Sequence, residues 1–243
     1  MKTVIITGAS RGIGGATAKL FAENGWHTVI NCDKDIVSAE KLAAELAAKG
    51  CSAEVYAADV GVMAECEKMV GYVLAKLRRV DALVNNAGVS LIKPFTDLTD
   101  GEAERIMKVN FGGIYNMCKA VVPHMISRKY GRIINVTSVW GSRGSSCETM
   151  YCASKAAAEG FSRALAKELG PSGITVNCVA PGFIDTEMNG GLASDVAESI
   201  KDDTPLCRFG LPADVARAAL FLAGDGADFV TGQVLGVDGG WQV

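Results

Sequence analysis

The sequence predicts an α/β fold, one doubly wound parallel sheet with helices on both faces, and three observations lead to it. Short apolar runs of strand length alternate along the whole chain with longer, Ala-rich helical stretches. Those runs, such as Thr3-Val4-Ile5-Ile6-Thr7 and Ile133-Ile134-Asn135-Val136-Thr137, stay apolar over consecutive residues, as strands covered on both faces do. The first of them passes at once into the glycine-rich stretch Gly8-Ala9-Ser10-Arg11-Gly12-Ile13-Gly14.

Taken in order, strand 3–7, that turn, and a helix over 16–23 form a phosphate cradle. The glycines let the backbone approach an anion, and the helix N-terminus faces it with N–H groups and dipole. The spacing is G-x-x-x-G-x-G. A second strand over 28–31 ends at Cys32-Asp33-Lys34, the region where dinucleotide folds place a ribose-binding acid, and a helix over 36–49 follows. Strand 53–57 carries Asp59-Val60 at its tip, helix 64–78 comes next, and strand 82–84 enters Asn85-Asn86-Ala87-Gly88. A long helix is expected over 102–128, with Asn110 and two glycines in its middle; each Gly costs about 1 kcal/mol there, which suggests a site or a close contact. Strand 133–137 ends at Ser138, and strand 174–179 runs to Ala180-Pro181-Gly182. Residues 183–210 read as irregular or loosely helical, long enough to act as a lid. A helix over 213–223 and a last strand within 232–240 complete one domain over 1–243.

The chemistry centres on Ser138, Tyr151 and Lys155. Tyr151 and Lys155 are four residues apart on a helix, hence on one face, and an ammonium beside a phenol favours the ionised phenol. This makes Tyr151 a usable acid near neutral pH. Ser138 stands at a strand's carboxyl end, where ligands gather, and its hydroxyl can hold a carbonyl oxygen. A Tyr-x-x-x-Lys pair taken alone is more often a Lys stem lying over a ring; the preceding glycine turn and strand give this one its weight.

Bulk composition removes other classes. With 243 residues, 49% of them hydrophobic, and 28 Gly, the chain can bury a full α/β core. A formal net charge of −3 and no dense Lys/Arg block argue against nucleic acid as a partner. No apolar run approaches the ~18–20 residues of a membrane span, and the N-terminal run is too short for a signal peptide, so a cytoplasmic location is expected. Eight Cys without C-x-x-C spacing and only two His make a metal site improbable.

With these motifs in order, the chain resembles the short-chain dehydrogenase/reductases, Rossmann-fold NAD(P) enzymes, over essentially its whole length. The motifs are Thr7 to Gly14, Asp59-Val60, Asn85 to Gly88, Asn110, Ser138, Tyr151-x-x-x-Lys155 and Pro181-Gly182. Within that family it is most similar to the 3-oxoacyl-[acyl carrier protein] reductases, including the Val237-Asp238-Gly239-Gly240 ending. The resemblance implies that Tyr151 is the general acid, Lys155 holds the ribose hydroxyls, Ser138 binds the substrate carbonyl and Asn110 orders a water in a proton relay. It implies that Gly8, Ser10, Arg11, Gly12, Ile13 and Gly14 cradle the pyrophosphate end, with Cys32 and Asp33 near the adenosine ribose. Asp59 and Val60 flank the adenine, Asn86, Ala87 and Gly88 the adenosine side, and Pro181, Gly182, Ile184 and Thr186 the nicotinamide. Relatives that use NAD carry Asp where this chain has Cys32, and Arg11 is a cation suited to a 2′-phosphate, so the expected cofactor is NADP(H), with NAD(H) the alternative.

The substrate implied is a small or carrier-bound ketone, first a 3-oxoacyl thioester. Carrier-dependent relatives offer two Arg for docking, where this chain has Lys129 and Ser172. A second likeness, in Ser138-Val139-Trp140-Gly141 and Ser146-Cys147-Glu148, is to reductases of the 5-aminopentanone group on elongation factor P, and Glu148 would suit a basic substrate. Steroid and sugar ketones are further alternatives, as is a non-catalytic dinucleotide sensor or scaffold, which the complete set of four catalytic residues disfavours. A homotetramer is expected, one interface from the helices around Asn110 and Tyr151, the other from helix 213–223 with the last strand.

Overall fold

The computed structural model describes residues 1–187 and 194–241. The elements in chain order are β1 (Thr3–Ile6), α1 (Gly12–Glu23), β2 (His27–Cys32), α2 (Ile36–Ala48), β3 (Ala53–Ala57), α3 (Met63–Leu77) and β4 (Ala82–Asn85). They continue with α4 (Asp100–Met107), α5 (Gly113–Arg128), β5 (Gly131–Val136), α6 (Trp140–Arg143), α7 (Thr149–Leu169), β6 (Ile174–Pro181), α8 (Ser194–Asp202), α9 (Pro212–Ala223) and β7 (Val234–Val237). Seven strands form one sheet in the order β3-β2-β1-β4-β5-β6-β7, every pair parallel. After reaching the β3 edge the chain returns to the centre and places β4 beside β1. Connections on the two sides of that point leave the sheet in opposite directions, so a crevice opens at the carboxyl ends of β1 and β4.

Successive strand residues point to opposite faces. Ile6, Ile30, Val84 and Ile134 pack with Phe21, Leu46 and Leu222 on one side of the sheet. Ile5, Val29, Leu83 and Ile133 pack with Met69, Met117 and Leu169 on the other. Both faces are covered, which is why the central strands carry no alternation of polar and apolar residues. One polar thread crosses the second core. Asn85 Nδ2 donates to Asn135 Oδ1 at 2.8 Å, and Asn135 Nδ2 donates to Ser162 Oγ at 2.8 Å. These buried bonds tie β4, β5 and α7 together and fix the helix that carries Tyr151 against the strand that leads to Ser138.

Three sequence expectations change. The first helix starts at Gly12, inside the glycine turn, rather than at residue 16, because the backbone approach that needs glycine outweighs glycine's poor helix propensity. The single helix expected over 102–128 is two helices joined by a π-helical turn, Lys108–Gly112, with Asn110 buried within it. Of the 183–210 stretch, Ile184 bridges Gly210 and Ser194–Asp202 is helical; residues 188–193 of the expected lid lie outside the described residues. Among the described residues no helix is long and apolar enough to cross a membrane, and no group of three or more His, Cys, Asp or Glu could hold a metal ion.

Candidate active site

A cleft of about 1280 Å³ runs along the carboxyl ends of β1, β2, β4, β5 and β6. It begins at the glycine turn. Gly8 and Gly12 have φ of +59° and +57°, a region L side chains rarely adopt, and a Cβ on Gly8 would stand 2.8 Å from Ala87 Cα. Gly14 lies so close to the Gly8 carbonyl and Asn86 that a methyl there would collide with both. A Cβ on Gly12 would instead meet only Thr186 Cγ2, at 3.9 Å, so the backbone is bare toward the cleft. Arg11 supplies no side-chain cap to α1, whose first N–H groups have no intrahelical partners. This bare, N–H-lined cradle fits a dinucleotide's pyrophosphate.

The turn is held from β4. Thr7 Oγ1 accepts from the Asn86 and Ala87 N–H groups at 3.0 Å each, and Asn86 Nδ2 donates to the Thr7 and Gly8 carbonyls, both at 3.0 Å. Both amide protons of Asn86 are thereby committed to the turn, so the residue expected beside the ribose acts first as the turn's lock. Thr7, which opens the glycine motif, carries the matching role and was not among the candidate site residues.

At the adenosine end, Ser10, Arg11, Ile13, Cys32, Asp33, Asp59 and Val60 all line the cleft. Cys32 is buried at the end of β2, and burial, with Asp35 and Asp33 nearby, pushes its thiol pKa up, so it is a neutral wall residue. Arg11 is not free. Its guanidinium bonds Asp35 at 3.1 Å and Glu187 at 3.3 Å. Asp35 also caps α2 by accepting from Ser38 N at 3.3 Å. Neither Asp35 nor Glu187 was legible as a site residue, since their link to Arg11 spans loops far apart in sequence. Asp59 Oδ1 accepts from Gly61 N at 2.8 Å, which fixes the wall beside Val60.

At the other end stand Ser138, Tyr151 and Lys155. Ser138 Oγ accepts from Trp140 N at 3.2 Å, and Ser138 and Tyr151 both line the cleft. Lys155 is 4% exposed; its Nζ donates to the Val136 carbonyl at 3.0 Å and lies 5.4 Å from the Tyr151 ring centroid. The expected acidified phenol is not what this arrangement produces. Burial pushes Tyr151 up to about 12, against the opposing pull of the Ser138 hydroxyl, and burial depresses Lys155 to about 8. Two desolvated groups both favour their neutral forms, so the phenol holds its proton at neutral pH.

Asn110 does not line the cleft. Its Oδ1 accepts from Val89 N at 2.8 Å, and its Nδ2 donates to Val89 O at 2.9 Å and Ser154 Oγ at 3.0 Å. Its amide therefore clamps the segment after β4 to the Tyr151 helix. Gly88 lies within the clamp, where a Cβ would stand 3.4 Å from Asn110 Oδ1 and 3.6 Å from Lys155 Nζ. Pro181 O accepts from Val139 N at 3.0 Å, which joins the Ser138 loop to the loop carrying Gly182, Ile184 and Thr186 on the cleft wall. Lys129 and Ser172, by contrast, precede β5 and β6 at the amino ends of the strands, the far side of the sheet from Ser138.

Comparison with known proteins agrees with this geometry. The family model described as enoyl-(acyl carrier protein) reductase matches residues 8–242. A 3-oxoacyl-[acyl-carrier-protein] reductase, FabG, of Chlamydia trachomatis is 43% identical over 242 residues, 98% of this chain and 96% of that protein. An oxidoreductase of Bacillus subtilis, YmfI, described as uncharacterized, is 36% identical over 99% of both chains. The crystal structure of a putative gluconate dehydrogenase from Agrobacterium tumefaciens superposes with a TM-score of 0.96 at 31% identity, covering 99% of this chain and 95% of that one. The chain belongs to the short-chain dehydrogenase/reductase family and is an NAD(P)-dependent oxidoreductase acting on a carbonyl or hydroxyl group.

Proposed function

We propose that the chain reduces an aliphatic ketone to a secondary alcohol with NADP(H), a 3-oxoacyl thioester being the substrate that the names of its relatives supply. The observation that carries the reading is the placement of Ser138, Tyr151 and Lys155 on the wall of one cleft continuous with the glycine cradle. The nicotinamide supplies hydride to the carbonyl carbon. Ser138 holds the carbonyl oxygen, Tyr151 gives that oxygen its proton as negative charge develops there, and Lys155 holds the ribose hydroxyls and orients the phenol. Phe183, Ile184, Thr186 and Ile200 line the cleft and in this reading help exclude water from it. The test is NADPH oxidation in the presence of an acetoacetyl thioester, with stoichiometric formation of the hydroxy product. No oxidation with any ketone would remove the reading. The 5-aminopentanone substrate is supported by a different observation, the Glu148 carboxylate in the cleft wall.

Preference for NADP(H) rests on Cys32, which offers no carboxylate to two ribose hydroxyls, and on Arg11. The 2′-phosphate would take the place of Glu187, an exposed partner, on the guanidinium. Arg11→Ala is expected to weaken NADPH binding by about one to two powers of ten and NADH binding much less, as loss of one charge-assisted hydrogen bond requires. Equal Kd changes for both dinucleotides would place Arg11 outside the phosphate site.

Assembly into a homotetramer is part of the same proposal. On one face Tyr115 is 44% exposed beside Phe161; on another Phe221 and Phe229 are 53% and 99% exposed, next to β7 at the sheet edge. Light scattering at micromolar concentration should give four times the 25.4 kDa of one chain. A monomer mass would overturn it.

A further inference from the structure

Among the described residues, the cleft wall is open at one place and closed at another. In the segment after β4 it reaches the surface, where Ile92 is 77% exposed. Trp241, in the turn after β7, also lines the cleft yet is only 6% exposed. Its indole packs T-shaped on Trp140 at 4.9 Å and on Phe183 at 6.1 Å. Trp140 follows Ser138 by two residues and donates its N–H to Ser138 Oγ, so this wall of rings begins beside the hydroxyl that holds the carbonyl oxygen.

The wall is firmly anchored. The turn that carries Trp241 is wedged between Gly182 and residues 204–206: Gly182 N donates to Val237 O at 3.0 Å, and Leu206 N donates to Gly239 O at 3.2 Å. A Cβ on Gly182 would stand 2.8 Å from Asp238 Cα, and one on Gly239 would stand 2.8 Å from Thr204 Cγ2. Gly240, with φ of +82°, would bring a Cβ to 3.1 Å from Pro205 Cγ. Contacts this close leave the turn no slack to carry its indole outward, and forcing extra methylenes into a packed wall is unfavourable.

A ketone has two substituents, and the asymmetry of the cleft sorts them. In a carrier-bound 3-oxoacyl thioester the thioester arm leads to a carrier too large to enter, so the arm leaves past Ile92 and the acyl tail points at the rings. We propose that Trp241, backed by Trp140 and Phe183, is a specificity-determining residue that closes the tail side of the site and limits the tail to a few carbons. This rests on the reading of Ser138 and Tyr151 as the carbonyl site and narrows its substrate class to short-chain ketones. Each buried methylene favours binding until the space is filled; the next ones are rejected.

The test is steady-state NADPH oxidation with 3-oxoacyl thioesters of N-acetylcysteamine whose acyl chains have four, six, eight and twelve carbons. With the parent protein, kcat/KM should fall by about ten- to a hundredfold between the four- and eight-carbon thioesters, the span by which a filled apolar pocket rejects surplus methylene. Trp241→Ala should abolish that fall and let kcat/KM rise with length, by at most about fourfold per added methylene. Trp241→Phe should move the cut-off to an intermediate length. NADPH binding by each variant reports that the cradle is folded, and if Trp241→Ala does not bind, Trp241→Phe decides alone. A parent kcat/KM that stays level or rises with length, or a length profile unchanged in the variants, overturns the inference alone. No turnover of any of the thioesters overturns the 3-oxoacyl reading and this inference with it.

Discussion

Tyr151→Phe is expected to lower kcat for ketone reduction by about a hundred- to ten-thousandfold, the usual contribution of a positioned general acid, with the NADPH dissociation constant unchanged. The ring, its packing and its place beside Lys155 all survive the substitution; only the proton donor is lost. Burial disfavours phenolate and raises that donor from its ordinary 10 to about 12. A raised pKa keeps the phenol protonated throughout neutral and mildly alkaline pH. The oxygen of a ketone receiving hydride becomes more basic than a phenolate, so the proton moves downhill at the moment it is needed. Reduction should therefore hold its rate up to alkaline pH, while alcohol oxidation, which needs phenolate, should rise with pH. Steady-state kinetics in both directions decide the point: a variant retaining near-parental kcat would remove Tyr151 from the chemistry.

Lys155→Met is expected to produce a protein that binds NADPH more weakly and turns over more slowly, yet melts higher. Burial lowers the ammonium from 10.5 to about 8. The sign follows directly. Between about pH 8 and 10.5 the unfolded chain binds a proton that the folded chain does not, so stability rises with pH across that window and is at its lowest below pH 8. The ammonium thus costs the fold up to about 3 kcal/mol at neutral pH, part of it offset by the Val136 hydrogen bond, and methionine removes that cost. Dinucleotide binding runs the other way, since a polyanion favours the charged amine. Parental affinity should fall above about pH 8, by at most about tenfold per pH unit, and Lys155→Met should show no such dependence. Thermal melts at pH 7 and dinucleotide titrations from pH 7 to 9 check both halves; a variant that melts lower and keeps the pH dependence would show that Lys155 is a structural residue.

Features that depend on neighbours in sequence are legible in the sequence itself. The glycine turn, the strand before it and the helix after it are local, and Gly8, Gly12 and Gly14 stand where a side chain would collide or block the cradle. Tyr151 and Lys155 share a helix face for the same local reason. What escaped depends on partners brought together by the fold. The Arg11 clasp joins a turn, a helix cap at Asp35 and Glu187. Burial reversed the direction expected for Tyr151, because adjacency to a cation is visible in a sequence and desolvation of both partners is not. Asn110 illustrates the middle case: its awkwardness in a helix was visible, but a break in the helix needs the backbone path, and propensity alone does not supply one.

That break separates the phases of two helices. A π-helical turn places an extra residue in the spiral, so α5 is rotated relative to a straight continuation of α4 by about 100°, one residue's worth of helix. Each helix can then answer to a different neighbour: Ile106 turns α4 inward, while Ile114, Met117, Val121 and Met125 keep α5 on the sheet. The junction is also anchored, since Gly113 sits where a methyl would come within 2.7 Å of Val60. The residue count between the cap at Thr99 and Gly113 consequently behaves as a gear setting. Loops elsewhere in such a fold can grow or shrink without changing what they connect, but one residue removed here would restore a regular helix and carry Asn110 round the axis, away from Val89 and from the helix it clamps.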